Sequence, residues 1–328
     1  MLEQLSERVQ KAINEEVFPG CVIGVVRNGE REVFPFGALR YDEGIPNVRE
    51  NTIYDLASVT KSIPVASLAA MFVEQGKLKL DEKVTHYLPT LQNSYDASIV
   101  DLLEYRVRGS RMSRLRFSTF EQLRTHIFEE GFDGPPGKSE YTNLPAFILG
   151  FVLESAGGEI LPALAEKYLF GPLEMHDTTF FPSDTKRIAP TEIVDGDEVR
   201  GIVHDESARI FAQKRRAVGH AGLFSTVPDL LKFVEALLQG KFPEIMNAAE
   251  QGLGWHLSQP WFMGDCGPKT FGKTGFTGTS VVIDREKNAG LLILSNRTYP
   301  ERPPDAGSIQ SGINAVRADI ANIVFRMK

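Results

Sequence analysis

Ser58 and Lys61 stand three residues apart in the segment Ala57-Ser58-Val59-Thr60-Lys61. A hydroxyl and an amine one helical turn apart can share a proton, the first requirement of a serine nucleophile. Two later segments complete a set. Tyr141-Thr142-Asn143 supplies a phenol that can move a proton and an amide that can hold a carbonyl. Lys273-Thr274-Gly275 supplies a second cation, a hydroxyl and a residue small enough for a substrate backbone to come close. In that order, Ser-x-x-Lys, Tyr-x-Asn and Lys-Thr-Gly are the parts of acyl transfer through a covalent serine intermediate. On this reading Ser58 is the nucleophile, and Lys61 and Tyr141 are the general base and acid. Asn143, Lys273, Thr274, Gly275 and Phe276 bind substrate. The backbone N–H of Phe276 serves as a second oxyanion donor, and Lys273 and Thr274 are placed for a substrate carboxylate. A neighbouring cation disfavours an ammonium, and Lys273 is the candidate neighbour of Lys61.

Each motif is weak alone. A second Ser-x-x-Lys, Ser183 to Lys186, lies between Pro182 and Pro190 with no apolar helix after it, and reads as a surface turn. Competing motifs fail. There is no Gly-x-Ser-x-Gly elbow, and Gly137-Lys138-Ser139 lacks the earlier glycine of a phosphate loop, since position 132 is Phe132. There is no His-Glu-x-x-His and no Cys-x-x-Cys, so neither a metal nor a cofactor is expected. Cys21 and Cys266 read as buried free thiols. The histidines worth following are His204, beside Asp205, and His220, in Gly219-His220-Ala221-Gly222. A net charge of -7 argues against general nucleic-acid binding.

Positioning such a set takes a scaffold, and the hydrophobic pattern outlines one. Leu2, Leu5, Val9 and Ile13 predict an amphipathic first helix. Apolar runs over 20–26 and 30–36, around Asn28-Gly29, predict a hairpin. A helix over 62–75 would put Ser58 at its N-terminus, where free N–H groups favour developing negative charge. Residues 77–216 read as helix and loop, with a buried helix over 144–155. A helix over 228–240, strands over 252–257, 281–284 and 290–295, and a helix over 311–325 follow. The expected fold is α+β: an antiparallel sheet flanked by N- and C-terminal helices, with a mainly helical domain inserted. The sheet domain is discontinuous, 1–57 and 217–328, the helical domain is 58–216, and the active site lies between them. No apolar run reaches membrane-spanning length. The N-terminus lacks a signal-peptide pattern, which places the chain as it stands in the cytoplasm, or in the periplasm or outside the cell if an export signal has been removed.

Four stretches resemble the serine β-lactamase and penicillin-binding protein family, especially its class C β-lactamase branch, which includes D-amino-acid peptidases and β-lactamase-like esterases. They are Ala57 to Ser62, Pro136 to Asn143, Gly219 to Thr226, and Gly272 to Thr279, with Ser295-Asn296-Arg297 also fitting. The resemblance implies the fold above, Ser58 as acylated nucleophile, and Lys61 and Tyr141 as proton-transfer groups. One segment departs. Relatives often carry Leu-Leu-x-His-x-Ser-Gly, where this chain has Leu102-Leu103-Glu104-Tyr105-Arg106-Val107-Arg108-Gly109, running on to Arg111, Arg114 and Arg116. The expected activity is hydrolysis of a small amide, β-lactam or D-amino-acid peptide, with a carboxylate on the substrate. The alternatives are a carboxylesterase on small esters and a sensor that is acylated without turnover.

Overall fold

The computed structural model describes the chain except Glu43, Ser113, Arg114, Arg116, 303–305 and 327–328, and describes only the backbone of 306–311. Helix α1 (Leu2–Asn14) buries Leu5, Val9 and Ala12 along one stripe. Strands β1 (Gly20–Arg27) and β2 (Glu30–Gly37) pair across Asn28-Gly29. Both turn residues have positive φ, 50° and 84°, as a two-residue hairpin turn requires. After β2 come α2 (Ser67–Glu74), α3 (Leu144–Gly157) and α4 (Val227–Leu238). Four strands follow: β3 (His256–Leu257), β4 (Phe271–Thr274), β5 (Ser280–Asp284) and β6 (Ala289–Ser295). Helix α5 (Ala306–Phe325) closes the chain.

The six strands form one antiparallel sheet in the order β2-β1-β6-β5-β4-β3. The chain's two ends meet at its centre, where Cys21 on β1 faces Ser295 on β6. Successive side chains of β1 enter different cores. Cys21, Ile23 and Val25 pack with Leu5, Val9, Ile320 and Val324 beneath α1 and α5. Val22 and Val26 join Leu230, Leu231 and Val234 of α4 and the large core of the helical segment. Both faces being covered, β1 reads as a continuous apolar run. Helix α3 is buried on every side from Leu144 to Leu153, as its composition demands. Among the described residues no single helix is long and apolar enough to cross a membrane.

Several elements differ from expectation. The helix over 62–75 is broken. Ala57–Lys61 is a 3-10 turn, Ser62–Ala66 a wider turn, and α2 begins only at Ser67. Ile63 sits at φ -115°, ψ 107°, because the ring of Pro64 disfavours helical geometry in the residue before it. Ser58 therefore stands on a one-turn element and not at the N-terminus of a long helix. The strand over 252–257 shrinks to its last two residues, since Gly252 and Gly254 take positive φ. The middle segment holds an unforeseen hairpin, Glu192–Val194 with Asp197–Val199. The last helix starts earlier than the apolar pattern suggested. Both cysteines are free, but Cys266 is half-buried, not buried.

Candidate active site

The turn that carries Ser58 is set by a buried carboxylate. Asp55 accepts the Ala57 N–H at 2.8 Å and the His204 N–H at 2.7 Å. Burial raises the Asp55 carboxyl above its ordinary value, against the pull of those two donors. Ala57 is held at φ 46°, a conformation uncommon for a residue with a Cβ. In the 3-10 turn that follows, side chains three apart eclipse one another. Lys61 Nζ thus comes to 2.8 Å from Ser58 Oγ. Its second partner is the backbone carbonyl of His220, also at 2.8 Å. Lys61 is buried behind Ser58, which faces a cleft.

Of the residues expected at the site, Ser58, Tyr141, Asn143, Thr274, Gly275 and Phe276 line one cavity of about 550 Å³. Lys273 does not border it. Its ammonium is fully buried, donating to the Tyr105 hydroxyl at 2.8 Å and the Gly254 carbonyl at 3.3 Å. Burial, then the charge of Lys61, hold Lys273 well below the ordinary lysine value. The Tyr141 ring lies over both amines, 5.3 Å from Lys61 Nζ and 5.0 Å from Lys273 Nζ, and is half-exposed to the cleft. It also packs on Tyr105 and His256. Asn143 begins α3 without capping it. Gly275 passes so close to Leu56 that a Cβ would stand 2.4 Å from the Leu56 carbonyl, so only glycine brings β4 against the Ser58 turn here.

The far end of the cleft is cationic. Arg297 and Arg317 both line it and both are nearly inaccessible, at 5% and 3%. Arg297 Nε donates to the Phe276 carbonyl at 2.7 Å, and its guanidinium lies over the Phe276 ring. Arg317 donates to the carbonyls of Gly275 and Thr279 and to Asn314 Oδ1. Among the described residues neither meets a carboxylate, and Arg297 Nη1 and Arg317 Nε have no partner. Burial lowers Arg297 to about 10. Burial and the charge of Arg297 together lower Arg317 to about 9. Arg302, in contrast, is paired with Glu192 and Glu206. At the other end His256 and the half-exposed Trp261 form an aromatic wall. His256 is pushed down to about 3 by burial and by the charges of Lys273 and Lys61.

Tyr105, His256, Asn314 and Arg317 escaped the sequence reading as site residues. Tyr105 had a signal, for it occupies the histidine position of the departed segment. Arg297 had one in Ser295-Asn296-Arg297. Asn314 and Arg317 had none beyond helical spacing. In the arginine segment, Arg106 pairs with Asp101 and Glu104, and Arg108 with Glu140, beside a side hollow that Arg111 also borders. Arg114 and Arg116 lie outside the described residues. Ser183 adjoins the surface turn Thr185–Arg187, which buries no residue. Among the described residues no cluster of His, Cys, Asp and Glu could hold a metal.

Residues 5–312 match the Beta-lactamase family. A protein of Escherichia coli K12, by name a D-alanyl-D-alanine carboxypeptidase, is 28% identical over 77% of this chain and 72% of its own length. The N-acetylmuramyl-L-alanine amidase of Bacillus subtilis is 27% identical over 91% of this chain and 83% of its own. Among solved structures, a class C β-lactamase in complex with cefoxitin superposes with a TM-score of 0.78 at 18% identity, covering 98% of each chain. EstCE1, a hydrolase with promiscuous acyltransferase activity, superposes with a TM-score of 0.74 at 22% identity, covering 96% of this chain and 99% of its own. These structures share the β-lactamase/transpeptidase-like fold. The chain belongs to the Beta-lactamase family and is a serine hydrolase acting on small substrates.

Proposed function

We propose that the protein hydrolyses a small, carboxylate-bearing amide through an acyl-enzyme on Ser58. The observation that carries this reading is the 2.8 Å contact between Lys61 Nζ and Ser58 Oγ at the wall of the cleft. Lys61 takes the hydroxyl proton while Ser58 Oγ attacks the substrate carbonyl. The backbone N–H groups of Ser58 and Phe276 receive the oxyanion. Tyr141 delivers a proton to the departing nitrogen as the tetrahedral adduct collapses. Water then releases the acyl group by the reverse path. Lys273, buried behind Tyr141, acts on this chemistry through its charge.

The carboxylate is assigned to Arg297 and Arg317. Two guanidinium groups buried without a counter-ion are costly, and an anionic substrate would supply the missing charge. An arginine fork suits a carboxylate better than an ammonium does. The names of the two curated relatives describe scission of amide bonds to alanine, which supports an alanine-containing peptide or muropeptide as the substrate class. A second reading, a carboxylesterase on neutral esters, is favoured by the withdrawal of Lys273 from the cleft.

Intact mass after exposure to a β-lactam, a D-alanyl-D-alanine peptide and a short neutral ester, followed over time, tests both. Transient acylation with turnover of the peptide is expected. Turnover of the ester alone would favour the second reading, and a single acylation without release would mark a sensor.

A further inference from the structure

Behind Lys61 lies a buried histidine that the chemistry above does not use. His220 has no exposed surface. Its backbone carbonyl is the second partner of Lys61 Nζ. Its ring points away, with Nε2 3.1 Å from Asp205 Oδ1 and 3.0 Å from Ser207 Oγ. Ser207 Oγ donates to the same Asp205 oxygen at 2.5 Å. Nε2 therefore faces acceptors on both sides and carries the hydrogen, while Nδ1 has no partner among the described residues. Burial alone would raise the Asp205 carboxyl, but His220, Ser207 and the Ala208 N–H together hold it below the ordinary range.

The chain on either side of His220 is closely held. Gly219, just before it, lies so close to α3 that a Cβ would stand 2.0 Å from the Ala146 carbonyl. Val218 and Ala221 bridge across the loop. Rotation of the peptide after His220 would carry its carbonyl off Lys61, and the ring is the lever that resists it. An ionised, half-buried carboxylate receiving an imidazole N–H from a fully buried ring is a directional restraint.

We infer that the His220–Asp205 pair is a positioning device for the base: it clamps the imidazole so that the His220 carbonyl holds Lys61 Nζ against Ser58. The inference rests on the reading of Lys61 as the base for Ser58. It makes His220 and Asp205 positioning residues that do not touch the reacting atoms. Asp205 has a second duty, accepting the Ala208 N–H at the start of helix Glu206–Ala212, so His220 is the cleaner position to vary.

A fluorophosphonate probe reads the device without knowledge of the natural substrate, since its labelling of Ser58 needs the same proton transfer. A concentration series separates the half-saturating concentration from the maximal labelling rate. His220→Leu should lower the maximal rate at least about tenfold, and move half-saturation less than about twofold. His220→Gln, which offers an N–H near the place of Nε2, should restore the rate to within about threefold of wild type. A purely structural role would be tracked by melting temperature and would show no such rescue. Should His220→Leu fail to fold, Asp205→Ala decides, with the same loss of maximal rate expected. Labelling at the wild-type rate in whichever of these two variants folds overturns the inference alone. Failure of the wild type itself to be labelled would sink the reading of Ser58 and Lys61, and this inference with it.

Discussion

Lys273 Nζ donates to the Tyr105 hydroxyl, 2.8 Å away, in a pocket closed to the cleft. A lysine held there cannot also grip a substrate carboxylate. The role proposed for it is electrostatic, and its Nζ lies 5.0 Å from the centre of the Tyr141 ring. The same burial has a thermodynamic consequence. Lys273 is held below its ordinary value, so between its folded value and the unfolded one near 10.4 the unfolded chain binds more protons. Stability from this group is least at low pH and rises as pH climbs through that window. Lys273→Met should flatten the rise in melting temperature from neutral pH toward about 10, while lowering kcat alike for carboxylate-bearing and neutral substrates. A selective loss for the carboxylate-bearing substrate would return the recognition role to Lys273.

Arg297→Gln keeps a donor near the Phe276 carbonyl and removes one uncompensated charge. A charge-assisted contact to a carboxylate is worth about 1.5–3 kcal/mol, so KM for a carboxylate-bearing substrate should rise roughly tenfold or more. A neutral ester should be little affected. The comparison of kcat/KM for a matched acid and methyl ester checks this, and equal losses would count against an anion subsite.

His256 is pushed down to about 3, far below a free histidine near 6.5, because it is half-buried beside two lysines. It stays neutral at working pH, so any limb of the activity profile near 6.5 belongs to another group. On acidification the unfolded chain protonates this histidine first. The stability it confers is present above about 6.5 and is lost as pH falls toward about 3. His256→Gln should make the acid-side fall in melting temperature shallower and leave the shape of the pH–rate profile above 5.5 unchanged. A displaced limb would give His256 a proton-transfer role.

Ser58→Ala should abolish covalent labelling by a serine-directed phosphonate, while Ser183→Ala labels at the wild-type rate. Labelling that survives in Ser58→Ala and vanishes in Ser183→Ala would reverse the assignment.

Arg108 and Arg111 border the side hollow and not the cleft beside Ser58. Arg108 is exposed and paired with Glu140. Exposed pairs contribute little, so replacing both arginines by glutamine should change kcat/KM for an anionic substrate less than about twofold at low salt. A larger, salt-sensitive loss would show that this segment steers substrate.

The sequence by itself determined what local spacing and alternation can encode. Gly20 to Val26 had to be an apolar strand, Asn28-Gly29 had to turn, and Leu144 to Leu153 had to be a buried helix. Ser58 and Lys61 had to be neighbours in any helical geometry, 3-10 or α. What tertiary structure alone decided was which groups reach the cleft. Asn314 and Arg317 look like an ordinary polar face of a C-terminal helix, and they border the cleft only because β1 and β6 bring the chain ends together and carry α5 to β4. Lys273 shares a motif with Thr274 and Gly275, yet strand alternation sends successive side chains to opposite faces. Lys273 is thereby buried against Tyr105 while Thr274 lines the cleft. His220 and Asp205 are fifteen residues apart and meet only because the glycine-bounded loop docks on α3. Such contacts depend on distances between elements, and no local pattern of residues contains them.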